Sequence, residues 1–536
     1  MALKPPFLDY ETLRRSPSSP SSGEQTVNDK SDFRRQETPR TADDEQYRKK
    51  DHASAQREAS YNESFAKGMR SPALRKMDPL SYEPQERNIN EKEHKSELKA
   101  ERERWIFKRG HSLSFGGILL FTAFVFFRPY ELFPSLSWLS SAAFWIAIAT
   151  LVVYALTQLG LEGTLTARPK EVNLVLLLLL TGALSIPLAL EPARAFNSFT
   201  EFLKVVLIFI VMINVVRTEK RLHKLWIVVL IATCWISIGA INDYRLDRLG
   251  LQGVRIKGVI GGLFDNPNDL ALHLVTMMPI ALALFLKSRN PLTKVIFLAM
   301  AILIVAGVVA TFSRGGLLGL LTAGGVLLWK FARRSRGLVA PIAVLVLVVF
   351  MVFAPSGYGT RVSTTNDESA LARFDDLKRS LFLAVRHPAL GVGMDNYILF
   401  SNNDKATHNA YTQVAVEMGA AAAVFYVLFI IAPFNGLKRI ERESFDLKSE
   451  RRYHYAAIAL QASLAGYMVS SFFASVAYLW YIYYLVAYSV CLRRIYDSSV
   501  VGDVTELSNP NDSLPVRPGF EPPLNDNFPN KSILFE

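Results

Sequence analysis

Arginines and a histidine occur at three places where an apolar chain has little reason to carry them. Arg255 precedes the Gly-rich part of VRIKGVIGGLFDNPNDLALHL, which runs from Val254 to Leu274. Arg314 sits in TFSRGGLLGL, between two apolar runs joined almost without a loop, with Ser313 before it and Gly315, Gly316 and Gly319 after it. His408 and Asn409 open ATHNAYTQVAVEMGA, and Glu417 follows about two helical turns later. Guanidinium groups match phosphate oxygens in a bidentate fork. Histidine titrates near neutrality and serves as a general base. Arginines paired with a histidine therefore suit an anionic substrate such as a phosphate or pyrophosphate. No HExxH run, cysteine pair or carboxylate cluster with metal-ligand spacing accompanies them.

Each feature also has a plainer reading. In NPND, Asn266 can cap a helix, Pro267 can take its first position and Asp269 can complement its dipole. That does not account for Arg255. Arg314 can snorkel to lipid headgroups, but an arginine at this depth among small residues is by default a functional candidate. Asn409 or Thr407 can cap a helix and leave His408 idle; this reading weakens because His408 is expected at the same mouth as Arg255 and Arg314. HPALGVGMDNY, with Gly391 and Gly393, reads better as a structural turn than as a nucleotide fingerprint, since it lacks the strand, the third glycine and the acidic residue. His273, four residues after Asp269, reads as a helix-interface residue rather than a site member.

The elements that must position these residues are membrane helices. The chain has 536 residues, 50% hydrophobic and 20% charged, with mean hydropathy +0.19. The apolar residues concentrate between about Ser114 and Leu492, in runs long enough to cross a bilayer as helices. Candidate spans begin near Ser114, Leu139, Val172, Phe202, Leu225, Leu270, Val295, Gly315, Leu338, Ala420, Ala456 and Ser475, twelve in all. The expected fold is an all-α polytopic bundle. Basic segments follow spans 2, 4, 6, 8, 10 and 12 (TARPKE, RTEKRLHK, KSRNPLTK, KFARRSRG, LKRIERESFDLKSERRYH and LRRIYD), which places them and both termini in the cytoplasm. The net charge of +12 thus sets topology rather than binding nucleic acid. Cys234 and Cys491 both fall within apolar runs and form no disulfide framework or zinc site.

The chain divides into three regions: a disordered cytoplasmic tail over 1–110, a transmembrane domain over 111–495 and a second disordered tail over 496–536. Residues 88–108 can form a charged helix leading to the membrane. No signal peptide is expected at the N-terminus. The complementary loops are external, and the largest, over 355–419 between spans 9 and 10, is expected to be partly helical. Within it, ESALARFDDLKRSLFLAVRHP places Leu371, Phe374, Leu377, Leu381, Ala384 and Val385 at helical spacing. Such an amphipathic helix lies on the membrane surface or covers the bundle as a lid.

At these residues the sequence resembles the O-antigen ligase and polymerase family of bacterial membrane proteins. The resemblance rests on Arg255, Gly258, Phe264, Asn266, Pro267, Asn268, Leu270 and Ala271, then Ser313 to Gly316, then Arg373 to Gly393, then HNAY and EMG from His408 to Gly419. It covers about Val254 to Val427, and the long polar N-terminal tail departs from it. It implies a metal-independent inverting glycosyltransferase without cofactor, in the bacterial inner membrane, acting on the periplasmic side in lipopolysaccharide or related polysaccharide biosynthesis. The donor would be an undecaprenyl-pyrophosphate-linked glycan. The acceptor would be a lipid A core, another carrier-linked glycan or a protein hydroxyl, three classes whose motifs overlap. Carried over, Arg255 and Arg314 would hold the pyrophosphate and His408 would deprotonate or orient the acceptor hydroxyl. Arg373 would be a further pyrophosphate candidate, with Asn266, Asn268, Asn409 and Glu417 as substrate contacts. Two other classes compete. A lipid-linked glycan flippase fits the span count, but its contacts are expected near the midplane in repeated halves. A non-catalytic scaffold of an assembly system fits the tails and leaves the arginines unexplained.

Overall fold

A computed structural model describes residues 110–132, 134–246, 264, 266–332, 366–401, 406–445 and 451–507. The expected span near Leu338, Arg255, both ends of the chain and part of the expected loop over 355–419 lie outside them.

The described residues form helices and no strand. In chain order they are α1 (Ser112–Phe127), α2 (Ala142–Glu162), α3 (Lys170–Ser185), α4 (Pro192–Val215), α5 (Glu219–Arg245), α6 (Pro267–Lys287) and α7 (Pro291–Ala310). Then come α8 (Arg314–Ala332), α9 (Asn366–Arg386), α10 (Ala410–Met418), α11 (Ala420–Glu443), α12 (Arg451–Ser470) and α13 (Trp480–Leu507). Among the described residues, nine helices are long and apolar enough to cross a membrane: α1 to α7, α11 and α12. Helices α8 and α13 stand where the eighth and twelfth spans are expected, and α13 continues through the boundary drawn at 495. The chain is a multi-pass membrane protein.

Local sequence starts and stops these helices. Asn266 Oδ1 accepts from Asn268 N at 2.9 Å and Pro267 takes the first position of α6. Asn290 and Pro291 do the same for α7. Gly163, at φ 66°, ends α2 in the left-handed conformation that glycine adopts without strain.

Helix α6 is the centre of the bundle, buried along nearly all of its length and packed against α7, α8 and α12. Small residues allow these approaches, as expected where lipid supplies no hydrophobic drive between helices. A Cβ placed on Gly316 would lie 2.4 Å from the Ala271 Cβ, and one on Gly319 would lie 2.9 Å from the Gly466 carbonyl oxygen. Outward-facing Leu156, Leu180, Trp145, Val295 and Val424 are exposed, as lipid-facing side chains should be.

Ion pairs tie one end of the bundle. Glu219 meets Lys287 at 2.6 Å and Arg452 at 3.0 Å, which gathers three of the basic segments at that end. Lys330 pairs with Glu441, and Arg493 makes a bidentate contact with buried Glu171 at 2.8 and 2.9 Å. The ends of α6, α8 and α10 that carry Asn266, Arg314 and Asn409 are their N-termini.

Candidate functional site

Two helix starts built on the same local pattern bring the charged residues forward. In the first, Thr311–Phe312–Ser313, Ser313 N donates to Thr311 Oγ1 at 3.2 Å and Phe312 takes a left-handed φ of 53°. Ser313 Oγ then caps α8 by accepting from Gly316 N at 3.1 Å, so Arg314 is the first helical residue. In the second, Thr407–His408–Asn409, Asn409 N donates to Thr407 Oγ1 at 3.5 Å and His408 takes φ 52°. Asn409 Oδ1 caps α10 by accepting from Tyr411 N at 2.9 Å and Thr412 N at 3.1 Å. A non-glycine residue pays a steric cost in this conformation and holds it only where its surroundings fix it. Phe312 is enclosed against Tyr244. His408, half-buried, borders the space beside it.

That space is a cleft of about 340 Å³ lined by Arg314, Arg373, His408 and Asn409, with Thr407 and the apolar Leu318, Phe374, Leu377, Phe472 and Phe473. Arg373 arrives on the amphipathic helix expected from sequence, now α9. Among the described residues, no carboxylate lines the cleft. Two helix N-termini, whose positive dipole ends favour anions, border the cleft together with the two guanidinium groups. The arrangement can bind a polyanion at its charged side and apolar chain at its other side, next to an imidazole. Among the described residues, no three His, Cys, Asp or Glu side chains group as metal ligands.

Other candidates lie elsewhere. Asn266 is the cap of α6. Asn268 accepts through Oδ1 from Ser313 Oγ at 2.7 Å, which fastens the start of α6 to the start of α8. Neither lines the cleft. His273 is fully buried against Phe126, Phe264 and Tyr481, with Nε2 3.0 Å from Thr233 Oγ1. Thr233 spends its own proton on Val229 O at 2.7 Å, so His273 donates.

Glu417 is also buried, behind the cleft, where α10 meets the turn 387–396. Val392 N donates to Val416 O at 2.8 Å and Gly393 N to Glu417 O at 3.0 Å. Gly391, at φ 68°, allows this approach, because a Cβ there would lie 2.4 Å from the Glu417 carbonyl carbon. Asn396 Oδ1 accepts from Glu191 N at 2.8 Å, and Arg194 meets Asp395 at 3.4 Å. HPALGVGMDNY is thus a structural turn that docks α10 on the start of α4. Burial pushes the Glu417 carboxyl up to about 8, partly offset by the neighbouring Tyr478 and Gln413 side chains and the Asp395 backbone. Burial also raises the Asp395 carboxyl, against the pull of Arg194.

The helix capped by Asn409 is short. It ends at Met418, and Gly419, at φ 90°, separates it from the apolar helix α11. Sequence reasoning missed Leu318, Phe472 and Phe473. Phe472 and Phe473 lie in the turn after α12, far in sequence from the other lining residues, and a Phe pair at a span end carries no distinguishing signal.

Residues 271–427 match the family model described as O-Antigen ligase. No curated protein matches the chain.

Proposed function

With residues 271–427 supporting assignment to the O-antigen ligase family, and with its apolar helices supporting a role in membrane polysaccharide biosynthesis, we propose that this protein transfers a glycan from an undecaprenyl-pyrophosphate carrier to an acceptor hydroxyl on the periplasmic side of the bacterial inner membrane. The observation that carries the reading is the cleft that joins Arg314, Arg373, His408 and Asn409 to an apolar wall.

In this reading Arg314 and Arg373 hold the pyrophosphate, and the helix N-termini of α8 and α10 add fixed positive ends. The polyprenyl chain leaves along Leu318, Phe374 and Phe472, with α9 as a lateral gate. His408 takes the proton of the acceptor hydroxyl as its oxygen attacks the anomeric carbon from the face opposite the leaving group. The carbon–oxygen bond to pyrophosphate breaks, the configuration inverts, and the arginines neutralise the developing charge. Pyrophosphate is a good leaving group, so this electrostatic help supplies much of the rate without a metal. Arg255 is a further proposed pyrophosphate contact, on the resemblance alone.

The test uses full-length protein in nanodiscs with an undecaprenyl-pyrophosphate-linked oligosaccharide and EDTA. Lipid A core, a second carrier-linked glycan and a hydroxyl-bearing peptide are offered in parallel. Transfer to one acceptor that survives EDTA and vanishes in His408→Ala names the subclass. Folded protein that binds donor and transfers to none overturns the reading and favours a lipid-linked glycan flippase.

A further inference from the structure

A second polar site lies at the far end of α6. Asn268, near the start of this helix, is fastened to Ser313 beside Arg314 of the cleft, whereas Lys287 is its last residue. There Lys287 and Arg452 share Glu219. Lys287 Nζ lies 2.6 Å from Oε1 and Arg452 Nη1 lies 3.0 Å from Oε2. Both carboxylate oxygens are engaged, and two cations meet one anion, so the group keeps a positive charge. The three side chains line a crevice of about 20 Å³ together with His223, Trp226 and the apolar Leu222, Leu284 and Leu492. Helices α5, α6, α12 and α13 meet at it.

Trp226 decides what fits. Its indole N–H can only donate. Trp226 is buried, and among the described residues nothing accepts from Nε1. A buried donor left in this state costs stability until an acceptor reaches it. His223 stands three residues earlier on the same face of α5, and its Nδ1 is equally buried and unpartnered. Its ring is held edge-on against Phe297, with centroids 6.4 Å apart. Nδ1 donates whenever it carries the proton. Lys287 Nζ has three N–H donors and gives one to Glu219. Donors therefore exceed acceptors around the crevice, and its complement is an anionic oxygen. The crevice takes a single water-sized group. A tetrahedral phosphate meets that limit, because one oxygen can enter while the others stay at the mouth beside the partly exposed Lys287 and Arg452. The leucines suit the acyl chains of a lipid, and basic pockets between membrane helices are where anionic headgroups settle.

We propose that this crevice binds one anionic phosphate group, carried on a lipid headgroup or free in solution, with one oxygen inserted toward Trp226 and His223 and the others on Lys287 and Arg452. The site is separate from the cleft and stands whatever reaction the cleft performs. Its occupant ties α5, α6 and α12 together and stabilises the folded chain by mass action.

The full chain in lipid-depleted maltoside micelles is titrated with dioctanoyl phosphatidylglycerol, dioctanoyl phosphatidylcholine or inorganic phosphate, and the thermal midpoint is read at each concentration. Phosphatidylcholine carries the phosphate without net charge. Phosphatidylglycerol should raise the midpoint saturably, phosphatidylcholine should not, and native mass spectrometry should count one retained phosphatidylglycerol. A saturable rise with inorganic phosphate, and none with either lipid, would assign the site to free phosphate. Trp226→Phe removes the N–H and keeps a ring, and Lys287→Gln removes one charge. Each should weaken the apparent dissociation constant by about fivefold or more. The constant is taken from the shift within each variant, so a lower starting midpoint does not enter, and if one variant fails to fold the other decides. Equal responses to the two lipids, no saturable response to any of the three probes, or a folded variant that responds as wild type would each overturn the proposal.

Discussion

Arg314 and His408 carry most of the chemistry proposed for the cleft, and they should fail differently. Arg314→Ala should lower turnover by about a hundredfold or more, by analogy with the loss of one oxyanion donor. Arg314→Lys should recover little, because a point ammonium cannot reproduce the planar fork. Initial transfer rates at saturating donor check both. Glu417 makes a prediction of another kind. Its carboxyl is pushed up to about 8 by burial, against ~4.3 for a solvated glutamate. The folded protein therefore keeps a proton that the unfolded chain releases. The resulting stability is fully present below pH ~4.3 and is lost as pH rises through about 8. Thermal unfolding in detergent should show a midpoint that falls across this range in wild type and falls less in Glu417→Gln. An equal fall in both would assign the pH dependence to other groups.

At the scale of elements, glycines and one ion pair decide how closely helices approach. Gly391→Ala should destabilise the protein by about 1–3 kcal/mol, since it combines a left-handed backbone with contact against α10. Differential scanning fluorimetry would register this, and an unchanged midpoint would mean that the turn 387–396 is not tied to global stability. Glu171→Ala should be worse, at about 3–5 kcal/mol, because it leaves Arg493 mostly buried without its bidentate partner. Much at this scale was legible. Eleven of the twelve expected span starts fall at or near described helices, and Asn266 of NPND caps α6, one of the two readings that run was given. The amphipathic pattern before His387 is α9. These features depend on residues close in sequence. The stop at Met418 was harder to read, because only Gly419 marks it within a continuous apolar pattern.

Across the whole molecule, alternate basic segments gather at one end, as Glu219 shows by pairing with both Lys287 and Arg452. That placement motivates an orientation test. Cys234 and Cys491 are buried and should stay silent toward an impermeant maleimide. In intact cells, Val385→Cys should label from the periplasm, whereas Lys220→Cys should label only after the inner membrane is opened. The reverse pattern would place the cleft in the cytoplasm and exclude a periplasmic transfer.

Features set by local physics were determined by the sequence alone. Apolar run length made membrane helices, charge alternation proposed their orientation, and cap chemistry placed Arg314 and Asn409 at helix starts. The sequence also named Arg314, Arg373, His408 and Asn409 as candidates, and these line one cleft. Only the tertiary structure decided that Asn268 binds Ser313, that Glu417 is buried behind the turn 387–396, and that Phe472 and Phe473 complete the wall. The reason is distance along the chain. A cap or an amphipathic face is specified within a few residues, but an asparagine, a glutamate or a phenylalanine has the same local signature whether it meets a ligand or another helix. Which of the two it meets is fixed by how α6, α8, α10 and α12 pack, and no short stretch of sequence encodes that.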